Sequence, residues 1–142
     1  MILQTTTTSF VAECLEGIHD IMTDTLMMAL YEASADLSVD TTAYTATGEI
    51  TGTGYTAGGV ALTNVTIGTE SGKVYVDFDD PAWDPAAFTA RGALIYNASQ
   101  ANRSVAVLDF GSDKTATSTF SIALPANTAD TAIIRFKQEG TA

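Results

Sequence analysis

The sequence predicts an all-β domain: an antiparallel β-sandwich or jelly-roll-like barrel with a short N-terminal helix and an extended N-terminal arm. Three observations lead there. The 142 residues include 23 threonines and 11 glycines, and only 16% are charged. β-branched and small residues suit pleated strands rather than long solvated helices. Segments of alternating hydrophobicity recur about every 8–12 residues, bounded by Gly, Pro, Asn or Asp, which is the rhythm of sandwiches and barrels. Finally, 46% of the residues are hydrophobic. A chain of this length can bury a real core without disulfide or metal support. One β-sandwich domain is expected over 9–142, preceded by an arm over 1–8.

Each element follows in order. Residues 1–8, MILQTTTT, are polar after Ile2 and Leu3 and read as an extended arm. Ser9 can cap a short helix in which Phe10, Val11, Cys14, Leu15 and Ile18 recur at helical spacing, with Gly17 near its end. Residues 24–32 are an apolar run that suits a strand. A Ser/Asp/Thr/Ala loop spans 33–47, and 48–59 is a glycine-kinked strand or loop. Residues 60–67 alternate as a strand. Glu70, Ser71 and Gly72 make a turn into 73–80, so the two runs read as a hairpin. Pro81 and Pro85 frame Trp83. Strands at 88–97 and 103–111 form a second hairpin around a loop at 97–102. A polar loop at 112–119 leads to strands at 119–125 and 132–138. The expected core is Val74, Val76, Phe78, Leu94, Tyr96, Val105, Val107, Phe120, Ile122 and Ile133.

Charge narrows the function classes. Six basic residues stand against 17 acidic ones, a net charge of −11. Phosphate backbones need a basic footprint, so no nucleic acid is expected as partner. No anionic membrane is expected either. Acidity of this degree suits solubility or docking on a basic protein surface. The start of the chain has neither the basic residues nor the apolar stretch of a secretory signal, so export by that route is not expected. No run approaches the roughly 20 apolar residues of a membrane span.

Candidate sites are few. Cys14 lies on the apolar stripe of the helix and reads as a small core residue. His19 is the single histidine, with no second ligand at metal spacing, and reads as a hydrogen-bonded structural residue. Asp77, Asp79, Asp80 and Asp84 are the densest acidic group. Their spacing lacks the glycine and glutamate of a calcium loop, so a solvated turn is expected, with a cation site as the alternative. The glycines of 48–59 are not followed by the Lys-Ser/Thr of a phosphate loop. Arg91 sits inside an apolar strand, where it needs a partner, and Asp109 on the neighbouring strand is the natural one. No nucleophile elbow accompanies His19. No enzyme activity, catalytic residue, metal or cofactor is expected.

Four segments are distinctive: TAYTATGE (42–49), GTGYTAGG (52–59), ARGALIYN (90–97) and VAVLDFG (105–111). Through them the chain resembles, from about Ile18 to Phe136, a widespread group of small virion proteins of tailed bacteriophages. The resemblance implies a structural, non-enzymatic part of the virion: a capsid decoration or cement protein on the outer surface of the head. The implied partners are the major capsid protein and the chain itself, as homodimer or homotrimer. Ile2, Leu3, Phe10, Arg91 and Trp83 are the expected interface residues. Two alternatives remain open at this point. One is a connector, tail or fibre-associated protein. The other is a glycan-binding module in which Trp83 with Tyr55 or Tyr75 would stack on sugars.

Overall fold

The computed structural model describes residues 1–125, 128 and 130–137. In chain order the elements are β1 (Thr5–Thr6), α1 (Thr8–Leu15), β2 (Leu26–Tyr31), β3 (Val60–Ala61), β4 (Thr66–Glu70), β5 (Lys73–Asp77), β6 (Ala82–Trp83), β7 (Phe88–Asn97), β8 (Arg103–Ala116), β9 (Phe120–Ser121) and β10 (Ile134–Lys137). They form antiparallel sheets with the orders β1-β8-β7-β2-β3, β10-β5-β4 and β6-β9. The architecture is all-β and sandwich-like, with one short helix among the described residues.

The large sheet is buried on both faces, and β2 shows why. Its sequence LMMALY is apolar throughout, as in strands covered from both sides. Leu26, Met28 and Leu30 point into the main core, where they meet Phe10 of α1, Val76 of β5, Ile134 of β10, Trp83 of β6 and Phe120 of β9. Ala29 and Tyr31 point the other way, into a second core with Leu94, Tyr96, Val107, Ile2, Ala35 and Leu37. The small sheets thus cover one face, and the N-terminal segment with the loop after β2 covers the other. The expected core is corrected accordingly. Leu94, Tyr96 and Val107 lie across the sheet from Val105, while Val74, Ile122 and Ile133 are only half-buried.

Two irregularities set this division. Register shifts on the β7–β8 ladder fall between Ala90 and Gly92 and between Ile95 and Tyr96. Each changes which residues face which core, because side chains alternate with period two. Phe88 and Ala90 share the main core with Ala93 and Ile95, a parity that holds only across a break. Gly92 sits at that break, where a Cβ would stand 2.5 Å from the Leu108 carbonyl oxygen and 2.9 Å from Ile2.

Several expected boundaries change. The arm expected at 1–8 is part of the fold. Thr5 and Thr6 pair with Val107 and Ala106, and Ile2 bridges Leu37 in parallel. A threonine-rich strand gains its backbone bonds by adding to the free edge of β8. Helix α1 begins one residue before Ser9. Its N-cap is Thr7, whose hydroxyl bonds Val105 O at 3.3 Å and lies 3.0 Å from Ser104 Oγ instead of capping. The strand expected at 60–67 divides. Val60 and Ala61 pair with β2, Asn64 turns the chain with φ 53°, and β4 starts at Thr66 in the other sheet. The hairpin turn is Ser71–Gly72, both with positive φ, the type I′ geometry that matches strand twist.

At the far end, β8 runs on to Ala116 through residues expected to be loop. Thr115 pairs with Thr89, their hydroxyls 2.7 Å apart. Only Phe120–Ser121 and Ile134–Lys137 are strands in the last two segments, and Gln138 lies outside the described residues. Among the described residues no helix is long and apolar enough to cross a membrane.

Candidate functional site

The expected interface residues do not share a surface. Ile2, Phe10 and Trp83 are buried in the chain's own cores. This corrects their assignment to a partner contact, because their apolar surface is already consumed within the fold. Leu3 is exposed. Arg91 is half-exposed and its Nε donates to Asp109 Oδ1 at 3.0 Å, the pair the sequence suggested. Asp109 Oδ1 also accepts the Gly111 N–H at 2.8 Å, and this bond first, with Arg91 second, holds the carboxyl below its ordinary range. The pair closes the irregular stretch where β8 bulges past β7. Of the sugar-stacking group, Trp83 is only 3% exposed, while Tyr55 and Tyr75 are half-buried.

Helix α1 is rotated from the expected phase. Phe10 and Glu13, one turn apart, face inward, which leaves Val11 and Leu15 outside and Cys14 half-buried. Burial, with the Glu13 charge behind it, pushes the Cys14 thiol up, away from nucleophilic behaviour.

The reason for the rotation is a polar network that the apolar pattern alone does not reveal. Glu13 Oε1 accepts from Arg103 Nη1 at 2.7 Å, and Glu13 Oε2 lies 2.8 Å from His19 Nε2. Asn97 Nδ2 donates to Asp24 Oδ2 at 2.7 Å and reaches His19 Nδ1 at 3.0 Å. Asn97 Oδ1 accepts the Ser99 N–H, which fixes the amide orientation. Nδ1 of His19 is therefore the acceptor and Nε2 carries the hydrogen toward Glu13. The His19 side chain has no exposed surface, and its ring stands 4.9 Å from that of Phe10. Carboxylate, imidazole and amide in a row look like a proton relay. With both ring nitrogens engaged and no hydroxyl or thiol on either, the row acts as a clasp. It ties α1, the turn after it, β7 and β8 together.

A second knot lies under the glycine-rich loop. Glu49 Oε1 accepts the Tyr55 hydroxyl at 2.6 Å and the Gly58 N–H at 2.7 Å, and Oε2 accepts the Tyr44 hydroxyl at 2.6 Å. Tyr96 donates to Gly58 O at 2.7 Å, and its ring stacks on Tyr44 with centroids 4.8 Å apart. Leu30 N–H reaches back to the Tyr55 oxygen at 2.9 Å. Burial first, then the Glu49 bond, raises the Tyr44 phenol to about 12, and the same two causes in the same order raise Tyr55. Gly59, with φ 80°, has no room for a Cβ, which would collide with the Met28 carbonyl. Sequence reading found these glycines but had no signal for Glu49, an ordinary acid in a loop.

The four clustered aspartates separate in space. Asp79 accepts from Thr63 and Asn64, steadying the crossing between sheets, and Asp80 accepts the Leu124 N–H at 2.9 Å. Among the described residues no group of three or more acids, histidines or cysteines is placed to hold a metal ion. A groove of about 440 Å³ lies between the end of β8 and residues 119–123. Phe110, Phe120 and Ile122 line it, and among the described residues Lys114 is its one titratable side chain.

No family model, curated protein or solved structure matches the chain.

Proposed function

We propose that this chain is a structural virion protein of a tailed bacteriophage, a decoration or cement protein on the outside of the head. It binds the major capsid protein and stabilises contacts between capsomers. The observation that carries this reading is where the four distinctive segments go. TAYTATGE supplies Tyr44 and Glu49, GTGYTAGG supplies Tyr55 and Gly58, and ARGALIYN supplies Tyr96, all members of one hydrogen-bonded knot. VAVLDFG supplies the centre of β8 and the Asp109 that holds Arg91. The residues that carry the resemblance thus build a rigid scaffold rather than a reactive cleft. Rigidity is what a shell-stabilising part requires, since energy gained at its contacts is not lost to ordering the protein.

The test is reconstitution. Shells of the encoding phage that lack this protein should break at lower temperature than complete ones, and adding the purified chain back should restore the higher value. Shells that bind no added chain, or gain no resistance from it, would count against the proposal.

A further inference from the structure

Seven large hydrophobic side chains are exposed among the described residues, and six of them belong to residues 1–39: Met1, Leu3, Val11, Leu15, Met22 and Val39. The same stretch contains no lysine or arginine, and the first in the chain is Lys73. Backbone bonds draw four of the six together. Leu3 N–H donates to Leu37 O at 2.9 Å and Thr8 N–H to Val39 O at 3.0 Å, so the first strand runs beside 37–39 and α1 starts at Val39. Val11 follows Thr8 by three residues and Leu15 follows Val11 by four, which places them in line along the outer side of α1. Leu15 is 88% exposed. Glu16, Asp36 and Asp40 are exposed beside these residues, with Asp36 facing the amine of Met1 at 3.6 Å.

The geometry points to this face, Leu3, Val11, Leu15 and Val39 within an acidic rim, as the docking surface for the shell. Scattered exposed apolar residues need no explanation, but six of the seven within residues 1–39 do. The rim selects the occupant. A partner patch that is apolar at its centre and ringed by Lys and Arg complements it in both respects, whereas a second copy of this face would bring acid against acid. The inference rests on the decoration reading for the identity of the partner, a capsid subunit.

The experiment compares the wild-type chain, Val11→Ser/Leu15→Ser and Glu16→Lys/Asp40→Lys for binding to shells of the encoding phage stripped of this protein. All three should melt alike, because the four side chains are exposed. Both variants should bind at least about tenfold more weakly, and wild-type affinity should fall as salt rises. Wild type that binds while both variants bind equally well would overturn this surface and leave the decoration reading standing. Wild type that does not bind would overturn both. A wild-type dimer in sedimentation that Val11→Ser/Leu15→Ser converts to monomer would make the face a contact between copies and overturn the shell as its partner.

Discussion

Trp83 carries the single indole of the chain, and its ring nitrogen is buried with no hydrogen-bond acceptor among the described residues. Its ring packs edge-on against Phe88 and Phe120, with centroids 6.4 and 5.9 Å away. Trp83→Phe removes an unsatisfied donor along with some packing, so it should cost well under the roughly 3–5 kcal/mol expected of Trp83→Ala. Urea unfolding of the two variants measures the difference. Leu94 is fully buried in the second core, and Leu94→Ala should cost roughly 2–5 kcal/mol by the same method. Acid stability tests the Arg91–Asp109 pair. Its carboxyl is depressed in the fold below the ordinary 3.8, so its contribution is present above that value and is lost as pH falls through the folded one. Asp109→Asn should be the less stable protein at neutral pH and should show a shallower acid limb. At this scale the sequence exposed Arg91 because a cation inside an apolar strand demands a partner. Glu13 stayed hidden because its partners, Arg103 and His19, are brought to it by the fold.

Among the elements, β7 was legible at its expected 88–97 and β2 lies within its expected 24–32, since both are mainly apolar and closed by turn formers. Segment 60–67 was not. Its alternation is real, but the left-handed turn at Asn64 sends its two halves to different sheets. The end of β8 was missed because a strand exposed to solvent at most positions has no apolar period to read. The arm was readable as an extended segment, but its pairing with β8 was not, because two threonines carry no signal of which edge they join. The loop of residues 43–59 depends on Glu49, which accepts two phenols and one backbone N–H. Glu49→Ala leaves all three without an acceptor, and charge-assisted bonds are worth about 1.5–3 kcal/mol each. Amide exchange across 43–59 should accelerate strongly in this variant while β7 and β8 change less. Alkaline titration gives a second check. A phenol held above its ordinary 10 favours the fold below that pH, and the benefit disappears as pH climbs through the folded value. Tyr44 should keep its proton to about pH 12 in the folded protein.

For the whole molecule, the net charge of −11 and the uneven placement of its cations are properties of a surface, and surface properties are the least visible in a hydrophobic pattern. The sequence pointed to an all-β domain, and the sheets bear that out. It did not distinguish the buried Ile2, Phe10 and Trp83 from the exposed Leu15, because apolar residues read alike until the helix phase and strand pairing are known. As a decoration protein, the role proposed for it, this domain would cover the head rather than serve at a single vertex or in the tail. Its copy number per particle, measured by quantitative mass spectrometry of purified virions against the major capsid protein, separates these placements. A decoration role predicts hundreds of copies in a fixed simple ratio to the capsid subunit. A count near a dozen or below would place the protein at the connector or tail and overturn the decoration role.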